Sequence, residues 1–155
     1  MESTNKTSQD RASKIGSIVV FGLAVLGLVF LVYKRDLFST NPIGVIIQVL
    51  AAGLMVWARI TFGTRSFHAI ANTTEGKLVT NGPYQLLRHP IYAAIVYFVW
   101  AGVLSHLFID AIAAAVLISV CLIIRMLIEE KFLLMAYDEY STYSKRTYRL
   151  IPFLF

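Results

Sequence analysis

A chain of 155 residues that is 57% hydrophobic and only 15% charged, with a mean hydropathy of +0.68, is too apolar for a soluble domain and reads as an integral membrane protein. Its net charge of +5 does not point to nucleic acid, because the basic residues are scattered around apolar runs and no basic domain gathers them. The runs are continuous and do not alternate, which argues against a membrane barrel and predicts an all-α membrane protein with about four transmembrane helices.

Residues 1–14, MESTNKTSQDRASK, are polar, lack apolar periodicity and read as an N-terminal tail. Residues 15–155 form one membrane domain, with spans expected at about 15–33, 42–60, 91–107 and 111–128. The first run is long, has no small-residue cleavage pattern and is followed at once by Lys34 and Arg35, so it reads as an uncleaved span. The second carries Gly44, Ala52 and Gly53, which let helices approach closely, and leaves the membrane at Trp57 and Arg59. Most of the remaining Lys and Arg lie before the first span, between the second and third, and after the fourth. That bias predicts cytoplasmic N- and C-termini, in either a bacterial inner membrane or the endoplasmic reticulum. Cys121 lies inside an apolar run and reads as a small hydrophobe.

The longest polar stretch between spans ends in LVTNGPYQLLRHPIY, residues 78–92. Pro90 fits the first position of a helix, which places Arg88 and His89 at that helix's positive end. Such an end suits an anion such as a carboxylate or phosphate; an anchor for lipid headgroups fits the same composition equally well. His68 reads as a structural interfacial histidine. His68, His89 and His106 are widely spaced with no companion cysteines, so no metal site is expected.

The third and fourth spans are joined through the short turn at 105–110 and should form an antiparallel hairpin. In the fourth, Ala111, Ala115 and Ser119 recur at helical spacing, and Leu122, Arg125 and Glu129 continue the same side, so the charges are expected to point into the bundle. An isolated Arg125–Glu129 pair would read as an ion pair at the membrane boundary. Glu130 beside it weakens that reading, because one arginine does not neutralise two carboxylates. Beyond Glu130 an amphipathic helix is expected over the cytoplasmic mouth, with Phe132, Ala136, Tyr140 and Tyr143 on one face and Lys131, Asp138, Thr142 and Lys145 on the other.

The order of Gly82-Pro83-Tyr84, Arg88-His89-Pro90 with Tyr92, Glu129-Glu130, Tyr140 with Tyr143, and Lys145-Arg146 before Pro152 resembles the isoprenylcysteine carboxyl methyltransferase family and the wider group that includes phospholipid methyltransferases. The resemblance covers residues 76–152; the pattern's Phe-Gly before the tyrosines is Tyr137-Asp138 here. It implies S-adenosylmethionine as methyl donor and a lipophilic or prenylated acceptor that enters from the bilayer. The implied cofactor-binding residues are Tyr84, Arg88, His89, Pro90, Tyr92, Glu129, Glu130, Tyr140 and Tyr143, and the implied catalytic residues are Arg125, Glu129 and Arg146. In side-chain chemistry, the glutamates suit the ribose diol or ammonium, His89 with the helix start suits the carboxylate, and the tyrosine rings suit the adenine or sulfonium. A carboxylate acceptor needs no base and would be positioned by Arg125 or Arg146; an amine acceptor would use Glu129. A four-span transporter of cationic amphiphiles fits less well, because the first three spans contain no carboxylate. A non-catalytic membrane partner protein leaves the double glutamate without a role.

Overall fold

The computed structural model describes residues 2–63 and 78–154, with side chains from residue 15 onward; His68 lies outside the described residues. The chain is all-α among these residues. Helix α1 spans Glu2–Lys34, α2 Pro42–Phe62, α3 Pro90–His106, α4 Ile109–Ala136 and α5 Tyr140–Ser144, with a 3₁₀ turn at Gly82–Gln85 before α3. Three helices are long and apolar enough to cross a membrane: the Ile15–Lys34 part of α1, α2 and α4. The shorter α3 has 17 residues. At that length it rises about 25 Å, somewhat less than the roughly 30 Å of a typical hydrocarbon core.

Local chemistry sets the helix ends. Asn41 caps α2 by accepting the Gly44 N–H at 2.7 Å, with Pro42 at the first helical position. His89 and Pro90 occupy the same two positions on α3. Leu107 ends α3 in the left-handed region, at φ 57°, and the chain reverses into α4 within two residues. The polar residues 2–14, expected as a tail, continue α1 as helix. The helix expected beyond Glu130 is divided: Phe132 and Ala136 belong to α4, which ends at Tyr137 in extended backbone, and Tyr140 and Tyr143 belong to the short α5. A straight continuation would carry those tyrosines away from the start of α3.

Helix α4 packs against α1 and α3, and α3 packs also against α2. The small-residue stripe makes this possible. Ala111 and Ala115 are fully buried, with Leu31 of α1 and Val99 and Val103 of α3 in the same cluster as Ile118 and Leu122. Ser119 accepts the Trp100 indole N–H at 3.0 Å. At the end away from Arg88, the 35–41 connection is sewn into the bundle. Gln48 donates to the carbonyls of Leu37 and Phe98 and accepts from the Ser39 N–H, while Lys34 pairs with Asp110 at 2.9 Å.

That connection lies directly on Gly102, where an added Cβ would stand 2.0 Å from the Leu37 carbonyl oxygen. Gly102→Ala is therefore expected to lower stability by about 1–3 kcal/mol, read as a lower unfolding midpoint in detergent micelles. Gly53→Ala, where a methyl meets nothing within 4 Å, should hold or raise the midpoint.

Candidate active site

The site begins with backbone pairing. Gly82 adopts φ 58° and is crowded by Trp57 and Thr61 of α2, a position that only glycine fills without strain. The following 3₁₀ turn buries Tyr84. Leu87 then bridges in parallel to Tyr148: the N–H groups of Arg88 and His89 donate to the carbonyls of Tyr148 and Arg149 at 2.7 and 3.2 Å, and Tyr148 N–H donates to Leu86 at 2.9 Å. Leu87 and Leu150 pack with Ala93 and Met126 beneath this bridge, and Tyr97 donates its hydroxyl to the Leu150 carbonyl. Segments about sixty residues apart are thus fixed side by side at the start of α3.

Into that junction α4 projects its adjacent glutamates, and the two take different partners. Glu130, with 8% of its side chain exposed, pairs with Arg88 Nη1 at 2.9 Å and with Arg149 Nη2 at 3.0 Å. His89 Nε2 stands 3.5 Å from the same carboxylate. Glu129, at 22% exposure, accepts the Tyr92 hydroxyl at 2.5 Å and pairs with Arg125 Nε at 3.2 Å. Its other oxygen is 3.9 Å from His89 Nδ1. Arg125 is 3% exposed and also donates to the Tyr92 oxygen at 2.7 Å. The helical-spacing argument that turned these charges inward holds.

The aromatic residues line the same junction. His89 and Tyr92 stack with ring centroids 5.7 Å apart. Tyr143 donates to the Tyr84 carbonyl at 2.7 Å, and its ring lies 5.9 Å from that of Tyr140. Burial pushes the Tyr143 phenol up to about 12 and raises those of Tyr84 and Tyr140 as well, so all three remain neutral at physiological pH. Among the described residues, Arg88 Nε, His89 Nε2 and the Tyr140 hydroxyl are buried without a well-formed hydrogen bond, His89 Nε2 having only the Glu130 carboxylate at 3.5 Å. Groups of this kind are costly to leave unpaired and mark a place where a ligand can supply the partners.

Ten of the eleven residues singled out in the sequence, Tyr84, Arg88, His89, Pro90, Tyr92, Arg125, Glu129, Glu130, Tyr140 and Tyr143, fall in or against this junction. Arg146 does not join the glutamates. It is exposed on an open cleft of about 400 Å³ that shares Tyr143 with the junction and is otherwise lined by Thr80, Gln85, Glu139 and Thr142 among others. Arg149 and, on α1, Ser17 and Phe21 are partners that sequence reasoning missed. Arg149 reads as one more basic residue of the tail, and its match to Glu130 exists only after the backbone bridge has formed.

A phospholipid methyltransferase family model matches residues 39–140, well over half of the chain. The chain belongs to the phospholipid methyltransferase family. Membership in this family, part of the isoprenylcysteine and phospholipid methyltransferase group, makes it a membrane methyltransferase of a kind that acts on lipid-like substrates. No curated protein and no solved structure matches it.

In this family member Glu130 is the neutralising centre of the junction. Glu130→Gln leaves Arg88 and Arg149 facing a neutral group and is expected to cost about 3 kcal/mol of stability, whereas Glu129→Gln, at the more open position, should cost less than half of that. Denaturant midpoints of the two variants in the same micelles check the order.

Proposed function

We propose that the protein transfers a methyl group from S-adenosylmethionine to a lipid-like acceptor reaching the junction from the bilayer. The observation that supports it best is the convergence, in a methyltransferase family member, of Arg88, His89, Tyr92, Glu129 and Glu130 around buried polar atoms without well-formed hydrogen bonds. The residues present fit the cofactor. Three guanidiniums, Arg88, Arg125 and Arg149, face two carboxylates, and this surplus of positive charge with the Arg88 Nε donor suits the carboxylate of the cofactor's amino-acid end. Glu129 suits the ammonium or the ribose diol, and the neutral rings of Tyr92, Tyr140 and Tyr143 suit the adenine or sulfonium. When bound, the cofactor supplies a methyl group activated on a positively charged sulfur. The chain's task is to hold that end of the site dry and aligned with the acceptor.

A lipid carboxylate, methylated on oxygen as in isoprenylcysteine-type chemistry, is the favoured acceptor. It is already a nucleophile, and exposed Arg146 on the neighbouring cleft is positioned to hold it. One observation favours a phospholipid amine instead: Arg125 is held by Tyr92, Glu129 and the Ser17 carbonyl and not by the neighbouring cleft, while Glu129 keeps an oxygen that could take a proton. The basic residues flanking the spans support a cytoplasmic junction, where a soluble cofactor is accessible.

Purified protein titrated with S-adenosylmethionine should bind it, with affinity falling at least about tenfold in His89→Ala and in Glu129→Gln. Absence of binding, or equal affinity in all three proteins, would exclude this reading. Membranes incubated with methyl-labelled cofactor should yield a labelled lipid whose label is lost in mild base if it is an ester and retained if it is an N-methyl.

A further inference from the structure

Helix α1 lies outside the family-matched residues 39–140, yet it reaches the site. Arg125 Nη1 donates to the Ser17 carbonyl at 3.4 Å, and its guanidinium carbon lies 4.8 Å from the centroid of the Phe21 ring. Nε is held from the other edge by the Tyr92 oxygen at 2.7 Å and Glu129 Oε1 at 3.2 Å. The cation is therefore fixed along two edges and across one face.

That fixation sets the direction of a hydrogen-bond chain. A guanidinium only donates, so the Tyr92 oxygen must accept from Arg125, and the Tyr92 O–H must go to Glu129 Oε1. Oε1 is thereby occupied. Oε2, 3.9 Å from His89 Nδ1 and beyond hydrogen-bond reach, is the oxygen left open to a ligand. Were Arg125 to swing away, the Tyr92 hydroxyl could rotate and either oxygen of Glu129 could turn inward.

We infer that Phe21 is a positioning residue for the site: its ring holds the plane of Arg125 and so selects the Glu129 oxygen presented to the ligand. This rests on the methyltransferase reading. The contact is electrostatic as well as steric, since a desolvated guanidinium is attracted to the negative face of an aromatic ring. Phe21→Leu keeps the apolar bulk and loses that face; Phe21→Tyr restores it; phenylalanines carrying successive ring fluorines keep the shape while weakening it.

The expected result is an affinity for S-adenosylmethionine that falls roughly tenfold in Phe21→Leu, returns in Phe21→Tyr and declines stepwise with fluorination. A second readout is independent of cofactor binding. In arginine-labelled protein in micelles, the Arg125 Nε–H should exchange slowly with solvent in the native protein and quickly in Phe21→Leu. Unchanged affinity across the series, or unchanged exchange, overturns the inference. If the native protein transfers no methyl group to any lipid, the functional reading fails, and the exchange measurement alone decides whether Phe21 positions Arg125.

Discussion

The structure depends on keeping one carboxylate, Glu130, neutralised inside a bundle of membrane helices. Removing a carboxylate from water costs several kcal/mol even after relaxation, and the cost is met only if cations reach it with good geometry. Here they come from two distant places, Arg88 just before α3 and Arg149 near the end of the chain. Much else follows. The backbone bridge between Leu87 and Tyr148 brings the two arginines to the same carboxylate. The break of α4 at Tyr137 and the short α5 return the chain to the start of α3, where Leu150 packs beside Leu87. The C-terminal segment cannot leave this position without exposing Glu130 to an apolar surrounding with half its partners gone.

The two glutamates are adjacent in sequence and unlike in role. A rotation of about 100° between neighbouring helix positions turns Glu130 toward the 86–89 segment and Glu129 toward Tyr92 and Arg125. Glu130 makes two cationic contacts, and it holds the junction together. Glu129 is the more open of the pair and retains an oxygen without a close partner. A double glutamate thus supplies one group that fixes the geometry and another that the geometry presents.

Much of this was legible in the sequence because it is local. Apolar runs, Pro90 at a helix start, the small-residue stripe and the inward drift of Arg125 and Glu129 all follow from helical periodicity, and α2 and α3 lie within two residues of the expected bounds, whereas α1 starts well before residue 15 and α4 runs on to Ala136. What was not legible is contact made through backbone or through apolar side chains. Ser17 meets Arg125 with its carbonyl, and Phe21 with the face of its ring; both residues belong to an ordinary span by composition. Arg149 resembles the other tail cations until a parallel bridge aligns it. The division of the expected amphipathic helix escaped notice for the same reason, since no glycine or proline marks the stop at Tyr137.

The two ends of the bundle contain polar groups of different character, and the difference supports the proposed site. At the 35–41 connection Gln48 uses both ends of its amide on backbone groups, Lys34 meets Asp110, and His106 meets the Phe38 carbonyl. These contacts close loops. At the opposite end Ser17 Oγ, Arg88 Nε, His89 Nε2 and the Tyr140 hydroxyl are buried without a well-formed hydrogen bond, against the single Asp36 Oδ2 at the loop end, among the described residues. A fold under selection for stability alone would satisfy or replace such groups, since each costs about 1–3 kcal/mol. Their concentration around an ion-paired network that could have been sealed by ordinary apolar packing is what a site that completes its hydrogen bonds only with a ligand requires.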